Sequence, residues 1–507
     1  MTRIIALSFL LCFFTLTATV SGASTEDPPG IILLMGDDHG WDETGYNGHP
    51  HLKTPVLDEM AANGLQLNRF YSAHPSCSPT RGSVMTGRHP NRYGTFSPNY
   101  SIRPEEITIA KMMALNGYYC GHIGKWHLGP VKKSSPTSPG AMGFHEWLSH
   151  DNFFELNPVM SRNGGPPGMI KGESSEICIE ETIRFIQRSR EQNKPFFAVV
   201  WFGSPHEPYS GLPDDLRLYD NLPQEYAARK VRVTSNETGR QTKRPLRDVL
   251  RERYAEITAM DRAIGQLRTW LGDNDLRDNT MLWYCGDNGT PGDGIVTSPL
   301  RGQKGTVYEG GVRVPGIIEW PARIKRGTVS DVNSVTSDIL PTLCDMLNFG
   351  LPARELDGIS IRPIIERRWK ERPQPIFFWD YRGNTGAKNG PWIDEELQRG
   401  TTPLVKMMGD IRTRNFRNYR FNEIRPSDHA GSRTMLDNRF KLVMKGVGDA
   451  AKLELYDVRA DPSESNDLAT QHPAVVTQMR ERLTGWQQSV LVSLTGHEYL
   501  EPAQQEE

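Results

Sequence analysis

Three short apolar runs, each ending in glycine and polar residues, constrain this chain more than any other feature. They are "GIILLMGDDHG", "KPFFAVVWFGSPHEP" and "NTMLWYCGDNGT". Unbroken apolar runs of this length read as strands buried on both faces, not as the alternating strands of a half-exposed sheet. Helical segments lie between them. "ITIAKMMALNGY" has helical apolar spacing and stops at Asn116-Gly117, a suitable C-cap. Over 252–271, Tyr254, Ile257, Met260, Ile264, Leu267 and Leu271 fall on one helix face. Strands alternating with helices predict an α/β fold, a large mainly parallel or mixed sheet flanked by helices. Such sheets bind ligands beyond the carboxyl ends of their strands, where all three polar clusters stand.

The texture changes near residue 370. "PIFFWDYRG", "NRFKLVMKG" and "KLELYDVRADP" are strand-like pieces separated by turns, followed by a helical stretch near 473–491. They predict a smaller C-terminal α+β unit around an antiparallel sheet. At 507 residues the chain exceeds one ordinary core. The division expected is a signal at 1–23, a catalytic domain at 24–370 and a C-terminal subdomain at 371–507. The polar, irregular stretch 381–430 is longer than ordinary loops.

Arg3, the uncharged run "IIALSFLLCFFTLTATV" and the small residues Ser21-Gly22-Ala23 have the order of a cleaved secretory signal. No later run is long enough to span a bilayer, so the expectation is export to a periplasmic, extracellular or lumenal space. The formal net charge of −2 argues against nucleic-acid binding through bulk charge. Of six cysteines, Cys12 lies in the signal. Cys120, Cys178, Cys285 and Cys344 are too widely spaced for a disulfide framework. They are expected to pack as small buried hydrophobes, with a single bridge among them left open.

The strand ends supply the chemistry. Asp37 and Asp38 close the first apolar run, and Asp287 and Asn288 close the last. Either pair alone reads as a turn. Two such pairs at equivalent strand ends make a set of hard oxygen ligands suited to calcium, then magnesium, and not to zinc or copper. In "GHIGKWHLG", Lys125 and His127 alternate, and an extended segment would send both to one face. His206 follows an apolar run in a loop, and Lys304 stands among glycines that allow close backbone approach.

The remaining signal is Cys77-Ser78-Pro79-Thr80-Arg81. It has no neighbouring CxxC and no metal-finger spacing. Pro79 suits the first turn of a helix ending at Gly87, which would put residue 77 at a positive helix end. C-x-P-x-R resembles the modification signal of the type I sulfatases. The likeness extends in order through "IILLMGDDHG", "CSPTRGSVMTGRHP", "GYYCGHIGKWHLG", "FFAVVWFGSPHEP", "AMDRAIGQL", "YCGDNG" and "LRGQKGTVYEGGVRVPGIIEWP". It returns weakly in "SDILPTLCDML" and "LYDVRADPSESNDLA".

The resemblance implies an alkaline-phosphatase-like fold and a sulfuric ester hydrolase of arylsulfatase type. It implies that Cys77 is oxidised to Cα-formylglycine by a formylglycine-generating or sulfatase-maturating enzyme, with Arg81 steadying the modified side chain. It further implies one Ca2+ held by Asp37, Asp38, Asp287, Asn288 and residue 77. Lys125, His127, His206 and Lys304 match the groups that hold sulfate and move protons. Asp287 would take the attacking hydroxyl's proton, His206 would serve the leaving oxygen and His127 the second hydroxyl.

The substrate expected is a sulfated glycan or a small aryl sulfate. Lys406, Arg412, Arg414, Arg417, Arg420 and Arg425, interleaved with aromatics, either line a cleft for a polyanionic sugar or form a solvated basic loop. His39 and Gln303 depart from common family wording and are expected near the pocket. Asn288, Asn99 and Asn236 each begin a glycosylation sequon, and a metal-ligand asparagine cannot carry a glycan. The rival readings are a phosphoester or phosphonate hydrolase of the same superfamily and, if Cys77 stays a thiol, a non-catalytic secreted glycan-binding protein.

Overall fold

The computed structural model describes residues 27–235, 238–403 and 415–499. The expected signal segment, Cys12, Asn236, Lys406, Arg412 and Arg414 lie outside the described residues.

The three apolar runs form the centre of a ten-stranded sheet. Gly30–Gly36 pairs in parallel with Thr280–Gly286 on one side and with Phe196–Trp201 on the other. Tyr119–Lys125 and Glu146–His150 extend the parallel part beyond Phe196–Trp201. Antiparallel strands flank this centre, Gly316–Glu319 on one side and Val159–Arg162 on the other, which makes the sheet mixed.

Alternation along the central strands serves two cores at once. Ile31, Leu33 and Met35 pack on one face with Trp283 and Trp201, whereas Ile32 and Leu34 pack on the other with Tyr284 and Val200. This is why the strands carry no charged residue, since both faces are covered by helices. The Leu246–Asp273 helix closes the second face through Met260, Ile264, Leu267 and Leu271. The Cys77–Thr86, Ile109–Leu115 and Ile339–Met346 helices contribute to the first.

The C-terminal part is a four-stranded antiparallel sheet, in the order Ile376–Tyr381, Gly431–Leu436, Phe440–Lys445 and Lys452–Asp457. Gly431–Leu436 is one strand more than the sequence suggested. The Pro473–Thr495 helix packs on this sheet through Met479 and Leu483. All five described cysteines are free and buried, so the bridge left open in the sequence does not form among the described residues. No described helix is long and apolar enough to cross a membrane.

Candidate active site

Cys77 opens a ten-residue helix in which every residue is buried. Pro79 falls in the first turn, where a missing N–H breaks no helical bond. Gly87 ends the helix with φ of 71°, a left-handed conformation that glycine adopts without strain. The spacing of C-x-P-x-R thereby acquires a geometric reason. Arg81 lies one helical turn beyond Cys77 on the same face.

Arg81 ties the strand ends together. Its Nη2 and Nε donate to Asp287 Oδ2 at 2.6 and 3.1 Å, and its Nη1 donates to the Lys125 carbonyl at 3.1 Å. Asp37 Oδ1 lies 3.5 Å from the same guanidinium. Lys125 Nζ is 2.7 Å from Asp37 Oδ2, and Lys304 Nζ is 2.6 Å from Asp38 Oδ1. His206 Nε2 stands 3.7 Å from Asp38 Oδ2. Asn288 donates to Asp38 Oδ1 at 3.0 Å.

The glycine-rich loop around Lys304 is pinned on both sides. Lys304 N–H donates to the Thr290 carbonyl at 3.0 Å, and Gly305 N–H donates to the Pro75 carbonyl at 2.7 Å. Gly305 has φ of 86°, which lets the loop turn here. Lys304 is thus held against the Asn288 segment and the chain entering Cys77.

Lys125 and His127 reach the site by different routes from the one expected. Lys125 ends its strand, but His127 has φ of 56° and lies beyond it, so strand alternation does not place them together. His127 lines the same cavity as Cys77, His206 and Lys304, whose volume is about 340 Å3. Lys125 lies beneath, on Asp37. The Phe153 ring stacks on His206 at 4.6 Å.

Electrostatics follow from burial and these pairs. Burial, together with Asp37, pushes the Asp287 carboxyl up to about 6 against the pull of Arg81. Burial works against the Lys304 ammonium, but Asp38, Cys77 and Asp37 outweigh it and hold the group charged. The Asp38 carboxyl sits below the usual range because Lys304, His206 and Lys125 outweigh its burial. Burial drives His206 down to about 3 and holds His127 well below its ordinary value, so both rings are neutral at pH 7. His206 Nδ1 faces the Glu207 carbonyl, which assigns the ring proton there and leaves Nε2 unprotonated, 3.7 Å from Asp38 Oδ2 and not hydrogen-bonded to it. Burial also raises the Cys77 thiol. An unmodified thiol here is a poor nucleophile.

The donor set fits a hard cation. One ligand atom each from Asp37, Cys77 and Asp287 lie within 4.8 Å of one another, and so do those of Asp37, Asp38 and His206. Asp37 Oδ1 and Asn288 Oδ1 are buried acceptors that no donor satisfies by hydrogen bonding. Oxygen-rich carboxylate and amide sets of this kind suit calcium.

Some expectations change. His39 is fully buried and bonded on both nitrogens, to Tyr284 and the Glu43 carbonyl, so it supports the strand end and does not line the pocket. Gln303 is exposed and also lies outside the cavity lining. Arg417 stacks on Tyr100 at 4.5 Å and Arg420 on Trp392 at 4.9 Å. Arg425 pairs with Glu423. None of these three lines the Cys77 cavity, although Arg417 N–H donates to the carbonyl of Asn99, which does.

Sequence reasoning missed Arg253. Its fully buried guanidinium binds Glu43, the Asp38 carbonyl at 2.7 Å and the Pro205 carbonyl at 2.7 Å, joining the loops that carry Asp38 and His206. The signal was a charged residue in line with the apolar stripe of its helix. The Lys230–Thr234 and Gln241–Pro245 hairpin supplies Thr234 and Gln241 to the cavity wall, and its polar sequence carried no warning.

A mixed sheet with helices on both faces, and a site of carboxylates and ammonium groups at its strand ends, defines a hydrolase of the alkaline phosphatase superfamily. The family model named Sulfatase matches residues 29–349. The chain belongs to the sulfatase family, as a type I sulfatase. Human arylsulfatase A is 31% identical over 429 residues, covering 76% of this chain and 78% of its own. Mouse N-acetylgalactosamine-6-sulfatase is 29% identical over 408 residues, covering 72% of this chain and 70% of its own. The structure of BT4656 in complex with its substrate D-glucosamine-2-N,6-O-disulfate aligns over 92% of this chain and 98% of its own, at 19% identity and a TM-score of 0.68.

Proposed function

We propose that this sulfatase removes sulfate from a sulfated carbohydrate or aryl sulfate through a formylglycine made from Cys77, with one Ca2+ held by Asp37, Asp38, Asp287, Asn288 and residue 77. The observation that carries the reading is the position of Cys77, at a buried helix start, within ligand distance of Asp37 and Asp287. Hydrated formylglycine offers two hydroxyls on one carbon, one to attack sulfur and one to expel sulfate afterwards. A serine lacks the second. Calcium supplies charge that polarises sulfate oxygens and lowers the pKa of a nearby hydroxyl.

The remaining work falls to the chain's own side chains. Arg81 fixes Asp287 through its Nη2 and Nε, which would hold that carboxylate beside residue 77 to take a proton from the attacking hydroxyl. Lys125 and Lys304 present positive charge where negative charge develops. His127 is neutral with both ring nitrogens unpartnered, which suits it to receive the proton of the second hydroxyl. His206 faces the cavity with an unprotonated Nε2, so it serves the leaving oxygen only after that nitrogen gains a proton. Lys304, charged and beside the same carboxylate, is the second cation at that position.

The carbohydrate reading rests on the sulfated sugar named as the substrate of BT4656 and on the polar lining of the cavity. Export, maturation by a formylglycine-generating enzyme and the division into 24–370 and 371–507 belong to the same reading. Mass spectrometry of the peptide containing residue 77 tests the modification, because formylglycine is lighter than cysteine. Parallel assays of a sulfate and a phosphate ester with one leaving group test the chemistry. A native thiol at 77, or preference for the phosphate ester, refutes the reading.

A further inference from the structure

A cavity of about 740 Å3 lies apart from the Cys77 cavity and shares no lining residue with it. Its wall is built where the sheet edge meets the end of the C-terminal sheet. Gln66 comes from the Leu65–Leu67 strand, next to the edge strand Thr328–Ser330, Asn68 and Arg69 from the turn that follows it, Arg313 from the start of the Arg313–Val314 strand of a separate small sheet, and Arg459 from the turn after Lys452–Asp457. Trp41, four residues beyond Asp37, completes it.

Charge and hydrogen bonding set what this cavity accepts. Arg69 is 7% exposed; its Nη1 donates to the Asn438 carbonyl at 3.2 Å, Glu309 and Asp331 act on its charge, and its buried Nη2 has no hydrogen-bond acceptor among the described residues. Arg313 is 9% exposed and lies over the Trp41 ring at 4.6 Å. Its Nε and Nη2 bind the Asn68 carbonyl, while its Nη1 is 3.8 Å from Glu309. Arg459 is 67% exposed and only 3.9 Å from its nearest carboxylate, Glu371. Against three guanidinium groups the lining has one carboxylate, Asp331, which the Asn68 amide already engages. A buried guanidinium N–H without an acceptor is costly, and an anion or another polar group entering the cavity would satisfy it. Side-chain amides and an indole beside it are the partners a sugar ring uses, and the volume lies within the range of small-ligand sites, ~300–1,000 Å3.

We propose that this cavity is a second, non-catalytic subsite for an anionic saccharide unit, with its sulfate or carboxylate on Arg69, Arg313 and Arg459. The choice of a saccharide rests on the carbohydrate reading above. The site would hold a chain that has one residue at Cys77, or a second chain, and raise affinity for polymer without touching the reacting atoms.

The test uses the full-length, calcium-loaded chain carrying Cys77→Ala to stop turnover. Calorimetry follows binding of sulfated hexasaccharides of chondroitin, heparin and carrageenan type and, separately, of sodium sulfate. A binding event weakened at least ~tenfold by Arg459→Ala, and likewise by Gln66→Ala or Arg69→Met, supports the subsite. In the otherwise unmodified enzyme, Arg459→Ala should keep aryl sulfate turnover within about twofold. Hexasaccharide binding unchanged in both Arg459→Ala and Gln66→Ala overturns the proposal. An Arg459-dependent event equally strong with sodium sulfate alone also overturns it, making the cavity a free-anion site. If the parent enzyme hydrolyses no sulfate ester, the functional reading fails by itself, and the Arg459-dependent binding still decides the cavity.

Discussion

Lys441, in the C-terminal sheet, and Glu309, in the short helix after the Lys304 loop, meet at 3.0 Å with neither side chain open to solvent. Lys441 is also 3.0 Å from Glu464, whose other oxygen accepts the Glu309 N–H. The C-terminal sheet therefore anchors the segment that presents Lys304. Lys441→Met leaves two buried carboxylates facing each other. The expected loss is ~3–5 kcal/mol of stability, read by urea denaturation. An unchanged midpoint would show that this contact does not join the two parts.

Gly289 sits where no side chain fits. A Cβ there would stand 1.9 Å from the Gly310 carbonyl oxygen, so Gly289→Ala must shift the backbone next to Asn288 or the Gly310 segment, and we expect it to disturb the Asn288–Asp38 contact. Displacements on the order of 1 Å cost ~100-fold in rate. We expect kcat on a small aryl sulfate to fall by about that factor with the fold intact by circular dichroism. Wild-type kcat would mean that the position of Asn288 is unimportant.

Removing the metal should act on both rate and stability. Dialysis against a calcium chelator is expected to abolish turnover and lower Tm, with both restored by Ca2+. At a hundredfold excess over Kd, the bound ion contributes ~2.7 kcal/mol. Full activity after exhaustive chelation would remove calcium from the proposed chemistry.

Asp357 supplies a pH dependence away from the site. Arg92 outweighs burial and holds this carboxyl well below the usual range, and the His89 N–H and the Trp486 indole also bind it. A carboxylate with a depressed folded pKa stabilises the fold above its unfolded value of ~3.9 and loses that contribution as pH falls through the folded value. Asp357→Asn should cost about 3 kcal/mol at pH 7, and the gap to the wild type should shrink below about pH 4. A gap constant down to pH 2 would contradict the assignment.

Arg417 tests the proposed polyanionic substrate. It lies over Tyr100, and its N–H donates to the carbonyl of Asn99, which lines the Cys77 cavity. Arg417→Ala is expected to lower turnover of a sulfated polysaccharide about tenfold while sparing an aryl sulfate. Equal loss on both would assign Arg417 to the fold alone.

Much of this was legible in the chain. The central strands announced themselves because burial on both faces removes every polar residue from Ile31 to Met35. The carboxylates proposed as metal ligands were legible because they follow those strands directly. What stayed hidden depends on contacts far apart in sequence. Arg253 acts on Glu43 from 210 residues away, and the hairpin near the cavity has no apolar pattern. Strand alternation does not relate Lys125 and His127, because His127 is itself left-handed and lies beyond the strand. His39 looked like a pocket residue because it adjoins Asp38, yet one step along the chain turns its ring into the core.

Cys77 is 2% exposed, and the helix it begins is buried from end to end. The proposed conversion to formylglycine would require an oxidising enzyme to hold the thiol and the residues around it in its own active site, and the folded protein offers no such stretch. On that proposal the modification would have a deadline, set by the speed of folding. Molecules that folded first would stay thiols, so the active fraction of a preparation would be fixed at synthesis.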